Sequence, residues 1–82
     1  MKRGKAIKEE IKLWENDFSY IVEDFNFSSD EWLIIDIKAL SIVIADTREL
    51  IRDIRMIYPN ANLYSIDLFP NGEGVSLWIS LK

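Results

Sequence analysis

The sequence predicts an α+β domain with the element order α-β-β-α-β-β, in which two helices pack on a four-stranded antiparallel sheet. Three observations support this class: a helical stripe of apolar residues near the N-terminus, many β-branched residues in the middle, and two alternating runs around a Pro-Asn-Gly turn near the C-terminus. The chain has 82 residues, 49% of them hydrophobic, and no linker-like segment interrupts it. We therefore expect one small domain, residues 1–82, with a single core.

The first helix is predicted over residues 5–25. Its apolar side chains recur every three or four residues, at Ile7, Ile11, Trp14, Phe18, Ile21, Val22 and Phe25. Leu13 and Tyr20, seven residues apart, would share the opposite side of this helix, where an apolar pair is a candidate contact for a partner. Isolated exposed apolar residues are also common without any function. Residues 1–5 are expected to form a flexible basic tail.

Between residues 26 and 58 the pattern predicts a loop, two strands and a second helix. The elements are a loop over residues 26–32 (NFSSDEW), strands over 32–38 and 41–45, and a helix over 47–58. Asp46 is the predicted N-cap of this helix, and Glu49 three residues later would complete a capping box. Pro59 ends the helix because it cannot donate the next backbone hydrogen bond.

A competing interpretation of the same segment is one long helix. Apolar residues from Leu33 to Tyr58 also keep a spacing of four and three, and Ser28 with Glu31 could form its capping box. The chain would then be a long helical hairpin followed by a C-terminal β-hairpin. We prefer the strands because β-branched residues are dense here and alternate with polar ones.

The last stretch, LYSIDLFPNGEGVSLWISL, predicts an antiparallel hairpin around Pro70-Asn71-Gly72. Proline fixes one turn position, and Asn-Gly tolerates a positive φ. The residues expected on the apolar face of the hairpin are Tyr64, Ile66, Leu68, Val75, Leu77, Ile79 and Leu81. Phe69 and Gly74 would form the last pair before the turn.

Trp78 is the large side chain that violates the alternation of this hairpin. It stands in the polar phase with Ser76, and the expected register places Ser65 opposite Trp78 and Asp67 opposite Ser76. Phe69 shares that surface. Rigid aromatic rings dominate binding hot spots, so the surface is a candidate partner-binding patch. Alternatively, a helix covers it and Trp78 belongs to the core.

Arg48, Arg52 and Arg55 form one strip on the second predicted helix. At 100° per residue they fall within about 60° of one another. Arg48 and Arg52 are like charges four residues apart, which destabilises the helix by about a few tenths of a kcal/mol unless an anion pairs with them. Either the strip pairs with the protein's own carboxylates, such as Asp36 or those of the first helix, or it is a docking strip for an acidic partner or phosphates.

The composition lowers the expectation of catalysis. The chain has no His, the commonest general base and metal ligand, and no Cys, which would supply a thiolate metal ligand. Asp36 and Asp67 could meet across the sheet as a carboxylate pair, but each occupies the polar phase of its strand, where a solvent-facing residue belongs. The segment NGEG, residues 71–74, is too short to cradle a phosphate. We expect no catalytic residue, metal site or cofactor.

Charge is spread unevenly along the chain. The net charge is -4, yet residues 1–12 sum to +3, from Lys2, Arg3, Lys5, Lys8 and Lys12 against Glu9 and Glu10. No segment approaches the roughly 20 apolar residues of a membrane span, and no hydrophobic signal region follows the basic start. We expect a cytoplasmic protein that does not act at a membrane.

These features lead to three hypotheses of function. The first is a small non-enzymatic protein-binding module, such as an inhibitor, an immunity-type or antitoxin-like protein or an adaptor, that occludes a basic or nucleic-acid-binding surface of another protein. The second is a nucleic-acid-binding accessory protein that uses the basic N-terminus and the arginine strip, which the acidic body disfavours. The third is a structural role by self-association through Leu13, Tyr20 or an open sheet edge. The expected oligomeric state is a monomer or a weak homodimer.

Overall fold

The computed structural model describes residues 2–70 and 72–82. Its elements are α1 (Lys2–Phe18), β1 (Val22–Ser29), β2 (Trp32–Ile37), α2 (Ile44–Ile54), β3 (Asn62–Leu68) and β4 (Val75–Ser80). The four strands form one antiparallel sheet in the order β1-β2-β4-β3, so the two hairpins lie side by side with β2 and β4 at the centre. The predicted class and element order are confirmed, and the alternative with one long helix is wrong.

One face of the sheet packs against both helices. The side chains of β2 and β4 are alternately buried and partly buried along the strand, as expected when only one face is covered. The core consists mainly of residues from this face and from the inner sides of the helices: Leu33, Ile35, Ile37, Val75, Leu77 and Ile79 from the sheet, and Ile7, Ile11, Trp14, Leu50, Ile51 and Ile54 from the helices. The helical stripe predicted from Ile7 to Trp14 is therefore confirmed.

The first helix ends at Phe18, seven residues before the predicted end. Ser19 adopts a left-handed conformation with φ 59°, and the N–H of Tyr20 donates to the carbonyl of Glu15 at 3.2 Å. This arrangement is a Schellman-type end, which satisfies a terminal carbonyl and turns the chain out of the helix. At the other end the helix already includes Lys2, so residues 2–5 of the expected tail are helical, and Met1 lies outside the described residues.

Residues 22–29 form β1, where the sequence predicted the end of a helix and a loop. Val22 and Phe25 both stand beside buried residues of β2, although they are three residues apart, because β1 carries a register shift between Val22 and Asp24. One extra residue in a strand turns the alternating spacing of two into a spacing of three, which imitates a helix. Ile21, which the helical stripe would have buried, is 59% exposed.

The strand predicted over residues 41–45 does not form. The helix α2 begins at Ile44, with Val43 as an N-cap that makes no side-chain capping bond, so the capping box of Asp46 and Glu49 is wrong. Ile42 packs against the core, whereas Val43 and Ile44 are exposed. Ile42 and Ile44 alternate with other residues as in a strand, but only Ile42 is directed inward, and it lies in a loop. The alternation therefore does not mark a strand here.

The second helix ends at Ile54, four residues before the predicted end. The chain continues in turns up to Pro59, and the N–H of Tyr58 still donates to the carbonyl of Ile54 at 2.8 Å. Because the helix ends early, Arg55 is its C-cap and not one of its interior residues. Its guanidinium Nε donates to the carbonyl of Ala61 at 2.8 Å, which fixes the start of β3.

The C-terminal hairpin is confirmed, and its predicted register holds from Ser65 to Phe69. The N–H of Phe69 donates to the carbonyl of Gly74 at 2.9 Å, and Gly72 has the positive φ of 72° that only glycine adopts readily. Asn71 lies outside the described residues. Ser65 lies opposite Trp78 as predicted, and Asp67 lies opposite Ser76.

Tyr64 departs from the predicted face of this hairpin. The register of β3 shifts between Leu63 and Ser65, so Tyr64 is the extra residue. Leu63 therefore takes the place on the core face that the alternation had given to Tyr64, and the Tyr64 ring lies on the other face of the sheet. The shift also distorts an edge strand, a common protection against uncontrolled pairing.

Tyr20 joins the end of α1 to the start of α2. Its ring stacks on Trp14 with the centroids 4.8 Å apart. Its hydroxyl donates to Asp46 Oδ2 at 2.8 Å and accepts the N–H of Val43 at 3.1 Å, while Trp14 Nε1 donates to the carbonyl of Asp46 at 2.8 Å. Desolvation by burial, together with the carboxylate of Asp46, raises the pKa of Tyr20 above its ordinary value of 10.0.

We expect Tyr20→Phe to lower the free energy of unfolding at pH 7 by about 1–2 kcal/mol, because two hydrogen bonds are lost. A raised pKa favours the protonated hydroxyl in the folded state, so this contribution is complete below about pH 10 and is lost as pH rises through the folded-state pKa. Urea denaturation at pH 7 and near pH 11 should therefore show the difference between wild type and Tyr20→Phe narrowing at high pH. Tyr64→Phe is the matched control and should change little at either pH. A difference that stays constant with pH would contradict this account.

Candidate functional site

The face of the sheet opposite the helices is not covered by either of them. We call it the open face. It presents Asp24 and Asn26 from β1; Trp32, Ile34 and Asp36 from β2; Ser76, Trp78 and Ser80 from β4; and Asn62, Tyr64, Ser65 and Asp67 from β3. None of these side chains belongs to the core or packs against it. The open face is therefore the surface on which large apolar side chains need an explanation.

Three aromatic side chains form a cluster at one end of the open face. The ring of Trp32 meets the ring of Tyr64 edge-on at a centroid distance of 5.0 Å and that of Trp78 at 6.1 Å. Tyr64 lies on the edge strand and reaches Trp32 across β4, where Ser80 provides only a small side chain. Ile34 stands directly beside Trp78. We call Trp32, Tyr64 and Trp78 the aromatic cluster.

A row of carboxylates crosses the sheet beside the aromatic cluster. Asp24 pairs with Asp36 across β1 and β2, Asp36 pairs with Ser76, and Ser76 pairs with Asp67. We call Asp24, Asp36 and Asp67 the acidic row. The hydroxyl of Ser76 donates to Asp36 Oδ1 at 2.6 Å. Since Ser76 separates Asp36 from Asp67, the direct carboxylate pair that the sequence allowed does not form.

The sheet carries the net charge of the whole protein. The four strands contain Glu23, Asp24, Asp36 and Asp67 but no Lys or Arg. The chain has 14 carboxylate side chains and 10 Lys and Arg, so the 10 carboxylates outside the strands balance all of the cations. The formal charge of -4 is thus that of the strands, and Asp24 faces Asp36 with no cation among the open-face residues to separate them.

Trp78 lies on the open face and not beneath a helix. Its side chain is partly buried because it packs against Trp32, so the interpretation of Trp78 as a core residue is wrong. Phe69 stands in the same phase of the hairpin, but its ring covers Gly74: a Cβ added to Gly74 would come within 2.6 Å of the ring. Trp78 lies four positions after Gly74, roughly 13 Å along the strand, so Phe69 is not part of the aromatic cluster.

Leu13 and Tyr20 do not form the predicted strip. Leu13 lies in α1 and is 57% exposed, whereas Tyr20 follows the end of the helix and stacks on Trp14. The strip required a helix that continued to residue 25, and the left-handed turn at Ser19 removes that premise.

The three arginines have different environments. Arg52 pairs with Glu49, with Nη2 and Oε2 2.5 Å apart, and Arg55 donates to the carbonyl of Ala61 and more weakly to Asn62. Arg48 is exposed, and no hydrogen bond or ion pair links it to the rest of residues 2–70 and 72–82. Within the described residues, the protein's own carboxylates therefore pair with only one arginine of the strip, Arg52, through Glu49. Asp36 instead accepts a hydrogen bond from Ser76.

Trp32, Tyr64 and Asp24 are the open-face residues that sequence reasoning missed. Trp32 shares its phase with Ile34 and Asp36, so the alternation of β2 already marked its face, but the pairing of β2 with β4 could not be read from the chain. Tyr64 was placed on the core face because the extra residue of β3 is not visible in the pattern. Asp24 was assigned to a helix, which hid its position opposite Asp36.

Within the described residues, neither helix is long and apolar enough to cross a membrane. The same part of the chain contains no group of three or more carboxylates placed to hold a metal ion. Comparison with protein-family models and with curated sequences returns no match to this chain. The chemistry of the open face is therefore the main indication of function.

We expect Asp24→Asn to raise the free energy of unfolding by about 0.2–0.5 kcal/mol at low ionic strength, since like charges directly opposite on neighbouring strands are destabilising. The gain should shrink in high salt, which screens the exposed pair. Urea denaturation at both salt concentrations measures it. Asp67→Asn is the control, because β4 separates Asp67 from Asp36 by about 9–10 Å and little repulsion is relieved. Equal gains for both variants, or a loss for Asp24→Asn, would contradict the acidic row as described.

Proposed function

We propose that this protein is a small binding module whose open face occupies a basic surface of a partner protein and so inhibits or recruits that partner. The observation that carries the proposal is the aromatic cluster beside the acidic row on a sheet face that lacks Lys and Arg. The proposal assigns the protein a binding role, in the manner of an inhibitor, immunity-type or antitoxin-like protein, and no catalysis or cofactor.

The aromatic cluster supplies the anchor of the proposed interface. Large rigid rings bury much area at little cost in side-chain entropy, and Trp and Tyr are enriched among the residues that dominate binding energy. Trp32 and Trp78 hold one another edge-on, so the anchor already has a defined shape before binding. A preformed anchor loses less conformational entropy on association.

The acidic row supplies the preference for a basic partner. The neighbouring carboxylates of Asp24 and Asp36 repel one another in the isolated protein, and a Lys or Arg of a partner would relieve that repulsion. Charge complementarity of this kind raises the association rate and selects among partners. A surface that normally binds nucleic acid is one class of basic surface that such a face would occlude.

The same features disfavour the two other hypotheses of function. Aromatic rings on a sheet can stack nucleic-acid bases, but the phosphates would then lie beside the acidic row. Self-association was expected through Leu13, Tyr20 or an open sheet edge, but Tyr20 stacks on Trp14 and the β3 edge carries a register shift. Contact between two open faces would bring two acidic rows to one interface. The basic residues proposed for nucleic-acid binding lie elsewhere, and one of them, Arg3, has its guanidinium 5.0 Å from the ring centre of Tyr58.

Photo-crosslinking in the cells that make the protein tests this proposal. A benzoylphenylalanine at Asn26, an exposed open-face position beside Ile34, should give a discrete heteromeric adduct, because it leaves the aromatic cluster and acidic row intact. The same group at Met56, which is 87% exposed outside the sheet, is the matched control and should not give this adduct. The crosslinked peptide of the partner, identified by mass spectrometry, should be rich in Lys and Arg.

With the purified partner, Trp78→Thr and Asp36→Lys should each weaken binding by tenfold or more, about 1.4 kcal/mol, without unfolding the protein. The Asp36→Lys change should act mainly on the association rate. Titration calorimetry and circular dichroism would measure binding and folding. Identical adducts at Asn26 and Met56, an adduct between two copies of this chain, or a heteromeric complex that Trp78→Thr leaves unchanged would each overturn the proposal.

A further inference from the structure

A second surface with the opposite charge lies at the edge of the helix layer. A groove runs between α2 and the first residues of β3, with Arg48, Arg52 and Arg55 along it. Glu49 is the one carboxylate among its lining residues, so the groove has a formal charge of +2 in a protein of net charge -4. The groove is lined in addition by Ile44, Ile51 and Leu63, which give it an apolar floor.

The three guanidiniums of this groove differ in what they can still bind. Arg55 is committed to the carbonyl of Ala61 and holds the wall formed by the start of β3. Arg52 is 71% exposed and shares its charge with Glu49 at the surface, where a pair of this kind contributes little stability. Arg48 is exposed, and neither a hydrogen bond nor an ion pair in the described chain engages it. Arg48 and Arg52 are therefore available to an anionic ligand.

The chemistry of the groove favours a peptide over a nucleic acid. Guanidiniums bind carboxylates through two parallel hydrogen bonds, and the apolar floor accepts aliphatic side chains, which peptides have and nucleic acids lack. Phe, Tyr and Trp are absent from the residues that line the groove, so bases would find no ring on which to stack. The net charge of the whole protein also opposes a long polyanion, whereas a short acidic segment meets mainly the local positive charge.

We propose that this groove binds an acidic peptide segment of another protein, with its carboxylates on Arg48 and Arg52 and its aliphatic side chains on Ile44, Ile51 and Leu63. Glu49 competes with the peptide for Arg52. The groove lies on the helix layer and the open face on the opposite side of the sheet, so the proposal does not depend on the proposed function. Together the two surfaces would let the protein hold a basic partner and an acidic segment at once.

A nuclear magnetic resonance titration of the ¹⁵N-labelled protein tests the groove directly. The probe is the capped hexapeptide Glu-Leu-Glu-Glu-Leu-Glu, and the control is Lys-Leu-Lys-Lys-Leu-Lys. The acidic peptide should give saturable shifts confined to residues 44–55 and 61–63, and the basic peptide should leave these residues unshifted. Failure of the acidic peptide to saturate at millimolar concentration, or equal shifts with both peptides, would overturn the proposal.

Variants of the groove make the test specific. Arg48→Glu combined with Arg52→Glu should weaken peptide binding by about tenfold or more, and Glu49→Gln should tighten it about two- to threefold because the competing carboxylate is removed. Arg48→Gln with Arg52→Gln repeats the first test without a reversed charge, and circular dichroism confirms folding. Trp78→Thr should leave peptide affinity unchanged, which separates this result from the open face. A peptide affinity that does not change in the Arg48 and Arg52 variants would overturn the proposal. Displacement of the peptide by a dodecathymidine oligonucleotide would overturn it as well.

Discussion

The pairing of β2 with β4 decides which side chains of this protein are buried and which are displayed. Both strands are central, and both alternate along their length, so their pairing places Leu33, Ile35 and Ile37 beside Val75, Leu77 and Ile79 on one face. Two helices are enough to cover that face. Residues 2–70 and 72–82 provide no third layer for the other face, and a chain of 82 residues has room for one core. The position of the partly buried Trp32 and Trp78 on the other face is a direct consequence of that pairing.

The sequence predicts an outward position for two residues of the open face: Trp78, which violates the alternation of its strand, and Asp36, which follows the polar phase of its strand. Trp78 and Asp36 were identified because alternation is a local property and the register of the C-terminal hairpin follows from its turn. The partner strand of β4 is a long-range choice among β-rich segments, and local periodicity carries no information about it. The aromatic cluster depends on that choice, which is why one of its three members was found and Trp32 and Tyr64 were not.

Two register shifts explain most of the other errors. An extra residue near Glu23 gave Val22 and Phe25 a helical spacing, and an extra residue at Tyr64 moved that ring to the open face. A bulge changes the side-chain period for a single step, and the sequence shows no separate mark for it. The element order was nevertheless predicted correctly, because two errors cancelled. A strand was expected at residues 41–45, where none forms, and none was expected at residues 22–29, where β1 forms, so the number of strands stayed the same.

Charge follows the same division into layers. The strands hold four uncompensated carboxylates, while the helices, turns and termini hold every Lys and Arg of the chain. The Asp24–Asp36 pair is a locally unfavourable arrangement, because two like charges stand opposite one another on neighbouring strands. An acidic sheet face and a basic groove at the helix layer give the small domain two chemically distinct surfaces. The open face exists because the helices cover only one face of the sheet, and the groove lies on the other side, beside α2.

Trp32 and Trp78 lie on the uncovered face of the sheet, whereas Trp14 is buried in the core on its other side. The protein has three Trp residues, so ¹⁹F spectra of the 5-fluorotryptophan-labelled chain should contain three signals, assigned by single Trp→Phe variants. Exchange of H₂O for D₂O shifts a fluorine signal in proportion to its contact with water. We predict a clear solvent shift for Trp32 and Trp78 and almost none for Trp14, which is 2% exposed. A Trp78 signal as insensitive to solvent as that of Trp14 would contradict the open face and everything inferred from it.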